Sequence, residues 1–311
     1  MPNIGQDMQL EIYGGAAAAA GKPVLPVAFE EWEARAKSTL PDEAYWYIAG
    51  GAGGGDTMRS NREAFHRRFI RPRMARDVSG RDIGITLFGA RYPAPFLLAP
   101  IGVQGIMHAD GELATARAAA SVGVPFILSN VSSFTIEQVA AAASSAAAAA
   151  VPAGDAPRWF QLYPGKNREI IKSALARAEA AGYTAIVVTL DTAMLGWREP
   201  DLRTGYLPFL QAKGCANYFS DPTFRALLPK PPEEDPRSAV LLLSQGRQHV
   251  LNPQSRPRYR RACSSALPTG YTSRDFVPAA PCDRTPPRLR RTDRLRAARR
   301  RECRRRRRPR N

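Results

Sequence analysis

Four short apolar runs, starting near residues 95, 125, 158 and 184, constrain the fold more than any other feature of this chain. They are Pro95-Phe-Leu-Leu-Ala-Pro100, Pro125-Phe-Ile-Leu-Ser129, Arg158-Trp-Phe-Gln-Leu-Tyr163 and Thr184-Ala-Ile-Val-Val-Thr-Leu190. Each has the length and continuous apolarity of a strand buried on both faces. Helical patterns separate them: Asp110–Val122, Thr135–Ala143 with Thr135 as N-cap, and Asn167–Ala181 closed by Gly182. Repeating strand–helix units predict a parallel sheet with right-handed crossovers. Two architectures use such units, an open doubly wound sheet and a (β/α)8 TIM barrel. No GxGxxG follows the first run, which counts against the dinucleotide-binding open sheet. Polar residues close every run: Gly102 and Gln104, Ser129 and Asn130, Gln161 and Tyr163, Thr189 and Asp191. A barrel places its site at these strand ends. The barrel is the predicted fold, with four of its units visible.

The segments before and between the runs read more plainly. Residues 28–49 are helical in pattern, broken at Leu40-Pro41, and residues 56–69 resume a polar helix. Residues 70–94 read as loop and short strands. Gly50–Gly55 is rich enough in glycine for a phosphate loop but lacks a following Lys-Ser/Thr, so a helix-to-helix turn is expected. Ser144–Asp155 is expected to be a low-complexity loop, and residues 1–28 a flexible lead-in.

Charge divides the chain sharply. Residues 241–311 hold 21 arginines, no lysine and four acids, which is the whole net charge of +17. Residues 1–240 hold 24 basic and 24 acidic residues. The last 71 residues also carry eight prolines, a composition expected to be disordered. Of four cysteines, only Cys215 lies before that stretch, and the three histidines are His66, His108 and His249. Neither a disulfide framework nor a metal site is expected from these numbers. No run reaches the ~18–20 apolar residues of a membrane span, and no signal peptide pattern opens the chain. The cytoplasm is the expected compartment; the peroxisome stays open, although no peroxisomal signal ends the chain.

The strand ends also carry a family resemblance. Leu98-Ala-Pro-Ile-Gly-Val103, His108-Ala-Asp-Gly-Glu112, Trp159-Phe-Gln-Leu-Tyr163, Val188-Thr-Leu-Asp-Thr192 and Gly196-Trp-Arg-Glu199 resemble the FMN-dependent 2-hydroxy-acid oxidase/dehydrogenase family. Gly205-Tyr-Leu-Pro-Phe-Leu210 and Asn217-Tyr-Phe-Ser-Asp-Pro222 look most like the long loop of its lactate 2-monooxygenase-like members. The match runs from about Phe29 to Val240 and implies an FMN-binding barrel that oxidises a small 2-hydroxy acid, with O2 as acceptor and homo-oligomers where the full fold is present. Position by position, the resemblance assigns Tyr47, Tyr163 and Arg198 to substrate, and Pro100, Ile101, Gly102, Ser129, Gln161 and Thr189 to FMN. The residue chemistry agrees: Ser, Gln and Thr can donate to ring carbonyls, and a guanidinium matches a carboxylate. Val131 stands where many oxidases have a tryptophan. His108 reads as a structural loop residue.

The family's later motifs are missing from this sequence. These are a flavin-binding lysine, the Ser-Asn-His-Gly-Gly-Arg-Gln segment with the base, and glycine-rich phosphate strands. The catalytic base is therefore unassigned. The expectation is a barrel truncated to roughly its first half (29–240), followed by a disordered basic tail (241–311), and without turnover of its own. The alternative is a nucleic-acid-binding or nuclear-targeted protein acting through Arg299–Arg301 and Arg304–Arg308, but no aromatic interleaving or reading motif accompanies those arginines. The abrupt charge step motivates a second hypothesis, that the tail is a frameshift or intron read-through. Transcript sequencing across codon 240 decides it, and a normally spliced message encoding this tail would defeat it.

Overall fold

The computed structural model describes residues 4–18, 25–150, 157–192 and 196–247. The arginine-rich stretch from residue 248 onward lies outside the described residues, and so do residues 151–156, which take in the rest of the expected loop. The expected lead-in contains a helix, α1 (Ile4–Ala18), which has no internal proline and carries Asp7 in its first turn. Helices α2 (Phe29–Thr39) and α3 (Asp42–Ala49) flank Leu40-Pro41 as read. Pro41 forces Leu40 into extended backbone (ψ 151°), so α2 cannot continue. Gly50–Gly55 connects α3 to α4 (Asp56–Phe65), which ends four residues earlier than its pattern. A hairpin follows, β1 (Ile85–Leu87) paired antiparallel with β2 (Ala90–Tyr92).

The first apolar run does not form a strand. It is reduced to one parallel bridge at Leu98, whose N–H donates to Pro125 O (2.9 Å) and whose carbonyl accepts from Ile127 N (3.2 Å). Pro95 and Pro100 bracket it without an N–H to offer, so no ladder extends past them. Helix α5 (Gly111–Ser121) leads to β3 (Phe126–Leu128), and α6 (Ile136–Ala150) to β4 (Arg158–Leu162). Thr135 caps α6 reciprocally: its Oγ1 accepts from Gln138 N (3.2 Å) while Gln138 Oε1 accepts from Thr135 N (2.9 Å). This helix runs on through Ser144, Ser145 and the alanine tract, where a loop was expected. Alanine is the best helix former, and nothing in that stretch stops the propagation. Helix α7 (Arg168–Ala180), capped by the Asn167 side chain, leads to β5 (Ala185–Val188).

Strands β3, β4 and β5 pair in parallel in chain order, with Phe126 opposite Arg158 and Trp159 opposite Ala185. The order never reverses, so the described residues lack the switch point of a doubly wound sheet. The sheet among the described residues is also not closed: the predicted barrel stands here as an open α/β arc. Alternation sorts its side chains into two layers. Phe126, Leu128, Phe160 and Leu162 face Ala116, Ala119 and Ala120 of α5, Ile136 and Val139 of α6, and Ala174 and Leu175 of α7. The alanines let these helices lie close to the strands. Ile127, Trp159, Ala185 and Val187 face the other way, under Tyr92, Ile85, Leu87 and Leu97. Each large side chain so buried contributes roughly 1.5–3 kcal/mol.

After β5 the chain makes an excursion through α8 (Glu199–Thr204), a 3-10 turn at Pro208–Gln211, α9 (Ala216–Phe219) and α10 (Pro222–Arg225). Helix α11 (Pro236–Arg247) then crosses the charge step, with Ala239 and Val240 both buried. The boundary read at 240 is thus a boundary of composition, not of secondary structure: Leu241–Leu243 still continue a helix. Among the described residues no helix is long and apolar enough to cross a membrane.

Candidate functional site

Continuing the alternation of the hairpin-covered face past Ile127, Trp159 and Val187 gives Ser129, Gln161 and Thr189. These three polar residues cap the apolar layer at the carboxyl ends of three adjacent strands, and hydrogen bonds join them. Ser129 Oγ donates to Gln161 Oε1 (3.1 Å), which also accepts from Asn130 N (3.1 Å). Gln161 Nε2 donates to Thr189 Oγ1 (2.9 Å). Ser129 and Gln161 are almost wholly buried, whereas Thr189 is half-buried. With these bonds made, one N–H of Gln161 and the hydroxyl hydrogen of Thr189 are left to donate. A donor set on an apolar floor fits a planar heterocycle rich in carbonyl oxygens, as the flavin ring is.

The end of the first apolar run reaches this layer through Gly102. A Cβ built there would lie 2.4 Å from Val131 Cγ2 and 3.3 Å from Ser129 Oγ, so only glycine allows so close an approach. Val103 N donates to Val131 O (2.9 Å), fastening the end of that run to the segment after β3. Pro100 is half-buried, and Ile101 is 50% exposed with its carbonyl bonded to Gln104 Nε2 (3.2 Å). Tyr163, two residues beyond Gln161, is half-buried. His108 is an exposed loop residue whose Nδ1 accepts from Asp110 N (3.1 Å), a local role at the start of α5.

Tyr47 and Arg198 form a second group. The Arg198 guanidinium donates to Tyr47 O (2.5 Å) and Gly50 O (2.9 Å), the carbonyls at the end of α3. It sits 5.1 Å from the Tyr47 ring centre and 3.3 Å from Asp201. A cation on the carboxyl end of a helix is favourable, so this arginine ties the excursion to α3. The Tyr47 ring meets Tyr206 edge-on at 6.2 Å. Burial raises the Asp201 carboxyl above its ordinary range, and Arg198 opposes that shift.

Sequence reasoning missed the residues that hold the β3 end in place. Asn217 Oδ1 accepts from Ile136 N (2.9 Å), while its Nδ2 donates to Asn130 O (3.1 Å) and Ser129 O (3.4 Å). Asn130 Nδ2 donates to Tyr218 Oη (2.6 Å). Asn217 and Tyr218 were visible in a family motif but without a role, because no local pattern pairs residues 87 or 88 apart. A cleft of about 540 Å³ lies at the other end of β4, among Arg158, Arg177, Glu137 and alanines of α6 and α7.

Comparisons with known proteins agree on one group of enzymes. The family model described as FMN-dependent dehydrogenase matches residues 36–255. The chain is 43% identical over 229 residues to an L-lactate oxidase of Lysinibacillus sphaericus (strain C3-41), covering 74% of this chain and 55% of that protein. It is 45% identical over 194 residues to an FMN-dependent alpha-hydroxy acid dehydrogenase of Penicillium citrinum, covering 62% and 46%. A crystal structure of mandelate oxidase superimposes with a TM-score of 0.55 at 35% identity, covering 62% of this chain and 53% of that one. The chain spans about half the length of the curated relatives it matches.

Proposed function

The chain belongs to the FMN-dependent dehydrogenase family, and from that premise we propose that it forms the strand-end half-site of an FMN-linked barrel that oxidises a small L-2-hydroxy acid of the lactate type. The observation that carries this reading is the hydrogen-bonded row Ser129–Gln161–Thr189 on an apolar floor. FMN, when bound, supplies the acceptor for the hydrogen leaving C2 of the hydroxy acid. In this reading Gln161 and Thr189 donate to the ring's oxygen-bearing edge, and Ser129 holds Gln161 in the orientation that leaves its N–H available. The Pro100–Gly102 backbone packs against the ring. Tyr47 and Tyr163 orient the substrate through their hydroxyls, and Arg198, already held at the end of α3, turns part of its fork to the carboxylate. O2 serves as the final oxidant, the cytoplasm is the setting, and complete barrels assemble as homo-oligomers.

In this reading the family portion spans residues 29–240 and is carried on through α11. None of the three histidines stands in a base motif. Loss of a general base costs about 10²–10⁴ in rate, so this 311-residue polypeptide is expected to bind FMN without turning over. The test is a titration of the purified chain with FMN, followed by anaerobic addition of L-lactate. Quenched flavin fluorescence with an unbleached visible band is the expected result. No quenching sinks the flavin reading, and bleaching by lactate sinks the claim of inactivity.

A further inference from the structure

Glu112 is a buried ionisable group that the proposed chemistry leaves unused. Its side chain is fully buried. One carboxylate oxygen, Oε1, accepts from two backbone amides, Gln104 N (2.9 Å) and Ser133 N (3.1 Å), and Oε2 has no hydrogen-bond partner. Burying a carboxylate is costly. Two charge-assisted bonds and a place in the first turn of the 11-residue α5 offset that cost. The two amides belong to different loops. Gln104 follows the first apolar run, two residues after Gly102, and Ser133 follows β3, four residues after Ser129.

The local sequence is shaped to make this contact possible. Gly111, just before Glu112, has φ +35°, and a Cβ there would lie 2.9 Å from Gly105 N. Any side chain at 111 would push α5 off the loop and carry the carboxylate away from Gln104. The same two loops meet again where Gly105 N donates to Ser133 Oγ (3.0 Å) and where Val103 N donates to Val131 O (2.9 Å). Glu112 is the side chain whose single oxygen accepts from both sides of that seam.

We propose that Glu112 is a positioning residue: its carboxylate fixes the spacing between the loops after the first run and after β3, and thereby sets Gly102 and Ser129 for the flavin. The flavin half of this proposal rests on the reading given above; the loop-fastening half does not.

Two measurements on the full chain separate those halves. In hydrogen exchange without FMN, the Gln104 and Ser133 amides are expected to be protected, and to exchange at least about tenfold faster in Glu112→Ala, the scale of losing a bond to a charged acceptor. Glu112→Gln keeps an acceptor oxygen in place and should restore most of the protection. In FMN titrations Glu112→Ala should bind at least about tenfold more weakly, with Glu112→Gln within about threefold of the parent. Unchanged exchange in Glu112→Ala overturns the proposal, and so does equal loss in Glu112→Ala and Glu112→Gln, which would mean packing alone. If Glu112→Ala does not fold, Glu112→Asp, one methylene too short to reach both amides, takes its place under the same expectations. A parent chain that never binds FMN sinks the flavin reading, while the exchange result still decides the fastening role.

Discussion

The two faces of the β3–β5 sheet are built from alternate residues of the same strands, and they differ in kind. The helix-covered face is apolar along its whole length, from Phe126 and Leu128 to Phe160 and Leu162. The hairpin-covered face is apolar only as far as Trp159 and Val187, and then turns polar at Ser129, Gln161 and Thr189. One face holds the arc together. The other ends in a hydrogen-bonded polar row. Phe160 and Gln161 are neighbours in sequence and both almost fully buried, so they are the sharpest place to test the division.

Phe160→Ala should show the largest effect. It empties the centre of the helix-covered layer, where Phe160 also meets the Tyr183 ring edge-on at 6.1 Å. A loss of about 3–5 kcal/mol is expected, read from the shift in urea midpoint. A loss under ~1 kcal/mol would mean that this face does not carry the stability assigned to it.

Gln161→Leu comes next and probes the opposite face with little change in volume. It leaves Asn130 N and the Ser129 hydroxyl without their shared acceptor, and Thr189 Oγ1 without its donor. Orphaned buried polar groups cost about 1–3 kcal/mol. Affinity for FMN should fall by about tenfold or more, a change of ~1.4 kcal/mol. If stability drops as for Phe160→Ala while FMN binding is unchanged, the polar row is only a structural layer.

This division explains what the sequence made legible. Period-two alternation runs through Trp159-Phe-Gln-Leu-Tyr163, so the placement of Gln161 opposite Phe160 follows from strand geometry alone. The same holds for Ser129 and Thr189. The helix cap at Thr135 was legible because its bond closes within three residues, whereas Asn167 read only as the start of a helix and its capping bonds came from the structure. What stayed hidden depends on long-range contacts. Asn217 and Tyr218 hold β3 from 87 and 88 residues away, and Arg198 meets Gly50 and Tyr47 across 148 and 151. Composition also misled twice: alanines 146–150 read as loop but continue α6, and the step in charge at 240 falls inside α11.

The smallest expected effect lies at the rim of the helix layer, where polar contacts are strong in geometry but wet. Arg177 binds Glu137 through two bonds (2.8 and 3.0 Å) and also reaches Asp221 (3.2 Å) and Asn217 O (2.8 Å). Glu137 is half exposed, whereas Asp221 is buried. Solvent screens the exposed partner, so Glu137→Gln should cost only about 0.5 kcal/mol at neutral pH. The sign of its pH dependence follows from the bonds to Arg177, which hold the Glu137 carboxyl below its ordinary range. A carboxyl with a lowered folded-state pKa stabilises the fold above its unfolded pKa of about 4.3. That contribution is lost as pH falls through the lower folded-state value. Parent and variant should therefore differ in urea midpoint at pH 7 and converge in acid. A gap that widens on acidification would show that Glu137 acts through something other than its charge. A gap as large as that of Gln161→Leu would mean that the rim, and not the strand-end row, is where polar bonds matter most in this fold.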